Sequence, residues 1–213
     1  MSSAAMHQPQ PQKLYTYADY LTWPDEPRYE IIDGLPYLMS APTVSHQDIV
    51  GEIFWQLKSF LRDKPCKVII APCDVRLNPL KSNKDRTVVQ PDVLVVCDPK
   101  KLEDGKSVKG APDLVIEVLS PSSARKDRLL KFKKYLQAGV KEFWIVSPEE
   151  RIVYTHVLVE NRYFVALYGR EDAIPISVLE GCNIDLHDIF PPDPEEKKKN
   201  GPDEKTPEDY TLE

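Results

Sequence analysis

The apolar positions along this chain change period several times, and each change marks an element. Ile49, Ile53, Leu57 and Phe60 recur at helical spacing, predicting a helix over 46–63 that Thr43 or Ser45 starts. Upstream, Thr16 is placed to cap a short helix in "TYADYLTW". The run "YEIIDGLPYLM" sets two short apolar segments around Asp33-Gly34, a strong hairpin signal. Apolar runs at about 67–71, 73–77, 87–96 and 112–119 read as strands. Ser120 or Ser122 leads into a helix that runs to about Ala138 and closes on Gly139 as its C′ residue. "EFWIVSP" is the next strand, and "RIVYTHVLVENRYFVALY" reads as a hairpin turning at Glu160-Asn161. Helix, several strands, helix, strand describes an α/β or α+β sheet covered by helices, with additional β-hairpins at its margins.

The ends of the chain carry no such pattern. Residues 1–12 are rich in Gln and Pro, and the segment from Asp193 on is charged, Pro-rich and nearly free of apolar residues. Both are expected to be disordered, which leaves 13–192 as one domain. No apolar run approaches the roughly 20 residues that cross a bilayer, and the start lacks the order of a secretory signal. A cytoplasmic protein without membrane contact is therefore expected. The four cysteines, Cys66, Cys73, Cys97 and Cys182, form no CxxC pair, so neither a zinc site nor a disulfide is expected, only reduced thiols. The net charge of −6 includes −4 from the tail beyond residue 192, leaving the body nearly neutral. Charge thus neither supports nor excludes a local basic groove.

Two strands break the apolar rule. In "PDLVIEVLSPSS" Asp113 heads the run and Glu117 stands inside it; in "VVQPDVLVV" Asp92 follows Pro91. Strand alternation puts Asp113, Val115 and Glu117 on one face and Leu114, Ile116 and Val118 on the other. If the two strands are neighbours in register, Asp92 and Glu117 converge. Two such carboxylates repel and raise each other's pKa unless a cation lies between them. Oxygen donors with room for water suit Mg²⁺ or Mn²⁺, the ion of metal-assisted phosphodiester hydrolysis. The plainer readings are a turn cap for Asp113 and a structural salt bridge for Glu117.

Taken together, "YEIIDG", "QPDVLVV", "PDLVIEVLSPSS" and "KDRLLKFKKYLQAGVKEFWIVSP" resemble the Uma family of bacterial proteins, assigned to the restriction-endonuclease-like PD-(D/E)xK superfamily. The resemblance runs from about Tyr15 to about Phe190. It implies a central mixed sheet flanked by helices, with the order helix, three strands, helix, strand. It makes Asp92 the Asp of the PD element and Glu117 the acidic residue of (D/E)xK, the two metal ligands. The lysine expected two residues after Glu117 is absent, because Leu119 stands there. The resemblance places it instead at Lys131 in the following helix, and adds Glu30 of "YEIIDG" as a further acidic site residue. It implies Mg²⁺ or Mn²⁺ as cofactor, nucleic acid as substrate with DNA ahead of RNA, and a homodimer as one assembly.

The residues leave several roles open. Asp127, Lys131, Tyr135 and Ala138 share one helix face, while Leu129, Phe132 and Leu136 form a competing apolar arc. If the first face meets the sheet, the Lys131 ammonium approaches Glu117; otherwise it belongs to a solvated face with Lys133 and Lys134. Asp127 can pair with Lys131 at i,i+4. His46 is either a local hydrogen-bonding group or a ligand, and Tyr135 and Trp144 are expected in the core. The run "RKDRLLKFKK" has six basic residues within ten positions, suited to a phosphate backbone or to a solvated helix face. Two principal functions follow: a divalent-metal-dependent nuclease, with Asp92, Glu117, Glu30 and Lys131 in its site, or an inactive nuclease fold kept as a nucleic-acid-binding or dimeric module. Hydrolysis of another phosphorylated substrate is a third.

Overall fold

The computed structural model describes residues 13–120 and 124–190, apart from the side chains of 124–129. The two terminal segments expected to be disordered, and the side chain of Asp127, lie outside that range.

The hairpin at Asp33-Gly34 forms as expected. Strands β1 (Tyr29–Ile32) and β2 (Leu35–Leu38) pair antiparallel, and both turn residues take positive φ. Helix α1 (Tyr17–Tyr20) is held by a capping box between Thr16 and Asp19. Helix α2 (Val44–Phe60) starts at Thr43, whose hydroxyl accepts from the His46 amide at 3.2 Å.

The central sheet has six strands in the order β11-β10-β9-β8-β6-β3. These are β3 (Lys67–Ile70), β6 (Val93–Val96), β8 (Leu114–Val118), β9 (Glu142–Ser147), β10 (Ile152–Val159) and β11 (Arg162–Gly169). Only β8 and β9 are parallel, joined by the crossover helix α3 (Ala124–Ala138); the other pairs are antiparallel. The order α2, β3, β6, β8, α3, β9 is the one the sequence resemblance implies.

Alternation in β8 divides the core. Leu114, Ile116 and Val118 pack with Val93, Val95 and Trp144 beneath α2, where Ile49, Ile53 and Leu57 are buried. Val115 joins Leu94, Phe143 and Tyr135 beneath α3. Trp144 is core, as expected, and its indole N–H donates to Glu142 Oε1 at 2.7 Å. Helix α3 ends in a Schellman arrangement: Val140 N–H donates to Tyr135 O and Gly139 N–H to Leu136 O, with Gly139 at φ 75°.

Two sequence expectations need correction. The single strand over 87–96 is two strands, β5 (Val88–Val89) and β6, lying in different sheets. Pro91 has no N–H for a ladder, so the chain crosses from one sheet to the other at Gln90-Pro91-Asp92. The five-stranded sheet runs β2-β1-β5-β4-β7, with β4 (Val75–Arg76) and β7 (Val108–Lys109). The second correction concerns the cysteines. Cys66 and Cys97 form a disulfide with Cα atoms 4.0 Å apart, whereas Cys73 and Cys182 are free thiols. Lys67 pairs with Val96 across β3 and β6, so one further step of that register sets the two cysteines face to face. Sequence spacing could not show this, because the two positions meet only through strand pairing.

Beyond the central sheet, β12 (Ala173–Pro175) and β13 (Asn183–Asp185) form a small ribbon, followed by α4 (Leu186–Ile189) against α2. Among the described residues no helix is long and apolar enough to cross a membrane.

Candidate active site

The crossing at Gln90-Pro91-Asp92 puts three groups where two sheets meet. Val93 pairs with Ile116 and Leu94 with Val115. One more step of that register sets Asp92 opposite Glu117. The Val118 N–H donates to Asp92 Oδ2 at 2.8 Å, fastening the carboxylate to β8. Glu30 arrives from β1, and the Gln90 backbone N–H donates to its Oε1 at 2.7 Å.

Lys131 reaches in from α3. Its Nζ lies 2.8 Å from Glu30 Oε1 and 2.9 Å from Glu117 Oε1. The face bearing Lys131 and Tyr135 is therefore the one that meets the sheet, and both side chains are buried. The four expected residues, Glu30, Asp92, Glu117 and Lys131, come together at the base of one cavity of about 910 Å³. Its walls include β2, the 39–42 segment, the start of α2 and the 70–72 turn.

Asp113 stands apart from this arrangement. Asp113 is a cap: its carboxylate accepts from the Cys97 N–H at 2.8 Å and pairs with Lys141 at 2.6 Å. The pairing of Asp127 with Lys131 lies outside the described residues.

Three further groups belong to the site. Tyr135, expected only as core, is fully buried, but its hydroxyl donates to Glu117 Oε1 at 2.6 Å. Its position four residues after Lys131 was the available signal. His46 Nε2 is 3.3 Å from Asp92 Oδ2 and 3.0 Å from the Val118 carbonyl. Both neighbours are acceptors, so Nε2 carries the proton; Nδ1 is buried without a hydrogen-bond partner. Gln90 donates its side-chain amide to Asp74 Oδ1 at 2.9 Å and to the Tyr20 hydroxyl at 3.2 Å, while its Oε1 is buried and unpaired. Sequence reading overlooked Gln90, although it directly precedes the Pro91-Asp92 pair.

The electrostatics follow from burial and crowding. Burial pushes the Glu117 carboxyl up, the Lys131 ammonium opposes this, and the Asp92 and Glu30 carboxylates push it further, to about 7. Burial alone would lower Lys131, but Glu117 and Glu30 outweigh it and hold the ammonium well above its ordinary value. Tyr135 is raised by burial and then by Glu117, so it remains a donor. His46 is raised chiefly by its hydrogen bond to Asp92.

Three carboxylates thus share the cavity with one lysine, which contacts two of them, Glu30 and Glu117. Among the described residues, no three His, Cys, Asp or Glu side chains converge as a ready cluster of metal ligands. Each of the three carboxylates has one oxygen engaged by the contacts above; Asp92 and Glu117, set opposite each other by the β6–β8 register, are the pair that could hold a cation. Two carboxylates in a negatively biased, roomy cavity fit Mg²⁺ or Mn²⁺, which keep several waters and take few protein ligands. The set does not fit zinc, which favours a nearly complete shell of nitrogen and sulfur.

The model of the Uma2 family, described as "Putative restriction endonuclease", matches residues 17–187. Over 164 residues the chain is 32% identical to the uncharacterized protein slr1290 of Synechocystis sp. (strain ATCC 27184 / PCC 6803 / Kazusa), covering 74% of this chain and 82% of that protein. A crystal structure described as "a putative nuclease belonging to DUF820", from Anabaena variabilis ATCC 29413, is similar with a TM-score of 0.67 at 19% identity. It covers 82% of this chain and 97% of that one, and shows the nuclease-like fold. The family match extends from α1 into α4 and takes in every strand and side chain that builds the cavity floor, so the chain belongs to the Uma2 family.

Proposed function

We propose that this protein is a divalent-metal-dependent nuclease that hydrolyses phosphodiester bonds of nucleic acid, DNA in preference to RNA. The observation that carries this reading is the placement of Lys131 between Glu30 and Glu117. The lysine missing from position 119, directly after β8, where Leu119 stands, has a counterpart arriving from α3 at the same carboxylate.

Each residue has a role in this reading. Asp92 and Glu117 hold the cation; His46 and the Val118 amide fix the Asp92 carboxylate. Mg²⁺ or Mn²⁺ supplies charge neutralisation at the phosphate and a more acidic bound water. The Lys131 ammonium faces negative charge developing on the phosphoryl oxygens, in a recess where water competes poorly. Glu30, held by the Gln90 amide, keeps that ammonium aimed at Glu117. Tyr135 donates to Glu117 and restricts its rotation.

A specific observation also favours a second reading, that of a binding module without catalysis: the ligand pair is sparse, and Lys131 is already engaged by two carboxylates. Cleavage of labelled DNA and RNA with Mg²⁺ or Mn²⁺, for the wild type beside Glu117→Ala and Lys131→Ala, separates the two. The nuclease reading expects metal-dependent cleavage by the wild type, lost in both variants. Equal cleavage by all three proteins would expose a contaminant. Calorimetric titration with Mn²⁺ showing no binding would leave the binding module.

A further inference from the structure

The central sheet ends on one side in β11, whose inner side pairs with β10 at all eight positions and whose outer side has no strand partner among the described residues. Natural edge strands are protected by charges, prolines, bulges or shortness, because their free N–H and C=O groups template further pairing. Residues 163–169 of β11, Tyr-Phe-Val-Ala-Leu-Tyr-Gly, contain none of those residue types. Phe164 is 61% exposed, Val165 60% and Leu167 59%. Phe164 lies on one face of the sheet, Val165 and Leu167 on the other, so apolar groups flank the open edge on both sides.

From these features we propose that β11 is the pairing edge of a homodimer, each copy adding its β11 antiparallel to that of the other. The occupant is a second copy because the strand is chemically palindromic. About Ala166 it reads Phe-Val in one direction and Tyr-Leu in the other. A two-fold axis at Ala166 sets Val165 against the partner's Leu167 on one face, and Phe164 against the partner's Tyr168 on the other. Cross-strand apolar and aromatic pairs of this kind are what stabilise a ladder, and an isologous interface requires such self-complementarity. Charge agrees over the length of the pairing: 163–169 carries no ionised side chain, and like charges meet only at its ends, where Arg162 falls against the partner's Arg170, whose guanidinium is paired with Glu171.

Area sets the strength. The seven paired residues, 163–169, at about 3.4 Å each give an edge roughly 24 Å long. With side chains on both faces, the strip covers on the order of 500 Å² per copy, the small end of specific interfaces. The dimer is therefore reversible and concentration-dependent. It joins two central sheets into one of twelve strands, and it does not depend on the nuclease reading.

Sedimentation velocity of the full chain, from low to several hundred micromolar, tests this directly. The wild type is expected to shift from monomer to dimer. Val165→Lys combined with Leu167→Lys is expected to raise the dissociation constant at least tenfold, with an unchanged far-ultraviolet spectrum. Independently, Ala166→Cys is expected to give a disulfide-linked dimer under mild oxidant, whereas the wild type does not. A wild type that remains monomeric throughout, an unaltered constant in the lysine variant, or no cross-link at residue 166 would overturn the assignment. A dimer of wild-type strength in Phe164→Arg would also overturn it.

Discussion

Lys131 Nζ stands 2.8 Å from Glu30 Oε1 and 2.9 Å from Glu117 Oε1, so one ammonium from α3 ties β1 of the five-stranded sheet to β8 of the central sheet. The contact is structural and electrostatic at once. Removing the cation leaves two buried carboxylates facing each other, and breaking such a pair from one side typically costs about 3–5 kcal/mol. Lys131→Met is therefore expected to lower the melting temperature sharply as well as to abolish cleavage. Lys131→Met combined with Glu30→Gln should be less destabilised than the two single losses added together, since one unpaired charge is gone. Thermal denaturation of the four proteins checks this; strict additivity would show that the three groups are not coupled.

Tyr135 gives a narrower test. Its hydroxyl is 2.6 Å from Glu117 Oε1 and fully buried, while its ring packs 5.0 Å from that of Phe143. Tyr135→Phe keeps the ring and removes one hydrogen bond to a charged group, worth roughly 1.5–3 kcal/mol. Denaturant titration is expected to show a loss in that range, with an unchanged m-value. No loss would mean that the hydroxyl contributes nothing to holding Glu117.

His46 acts through Asp92. Its Nε2–H faces both Asp92 Oδ2 and the Val118 carbonyl, holding the same carboxylate oxygen that the Val118 amide holds. Groups that orient a ligand from outside are worth about 10–100-fold in metal affinity. His46→Leu is expected to weaken Mn²⁺ binding by about tenfold on that scale, and His46→Gln, which retains a donor, should recover part of it. Calorimetry on the three proteins decides; equal affinities would remove His46 from the site.

The division between what the residues disclosed and what they concealed is physical. The hairpins, α2, α3 and the split of β8 into two faces were legible, because each is written in local periodicity or turn chemistry. Asp92 and Glu117 were legible as a pair because a carboxylate in an apolar strand demands a partner. The inward face of α3 was not: Lys131 and Tyr135 compete with Phe132 and Leu136 on a helix with almost no net amphipathicity, and only the carboxylates across the gap decide which side turns in. The crossing at Gln90 was hidden inside what reads as one continuous strand, and with it the role of Gln90. The Cys66–Cys97 bond needed the register of β3 against β6, which spacing does not encode.

Two buried side chains away from the cavity control acid stability, in opposite chemical senses. His156 is buried between Phe132 and Phe143, with ring centroids at 4.8 and 5.6 Å, and burial lowers its pKa. The folded state therefore binds fewer protons than the unfolded chain, so stability from this group is present above the ordinary histidine value and lost as pH falls below it. His156→Phe is expected to flatten the fall in melting temperature between about pH 7 and pH 5, around the unperturbed histidine value of about 6.5. An unchanged slope would mean that this ring does not take part in the transition.

Asp113 governs the more acidic range. Burial alone would raise its carboxyl, but the Lys141 ammonium and the Cys97 amide reverse this and hold it below the ordinary carboxylate value. A depressed carboxyl contributes stability that is fully present above the unfolded value of about 3.9 and disappears as pH falls through the folded value. At neutral pH, Asp113→Asn removes the pairing with Lys141 and weakens the tie to the Cys97 amide, which lies beside the Cys66–Cys97 disulfide at the end of β6. The variant should therefore be less stable than the wild type at pH 7, and the difference should shrink as pH drops below about 4, where the wild-type carboxyl takes up its proton. Melting temperatures of both proteins across that range give the result directly, and a gap that stayed constant with pH would mean that the Asp113 charge is not what fastens β8 to the end of β6.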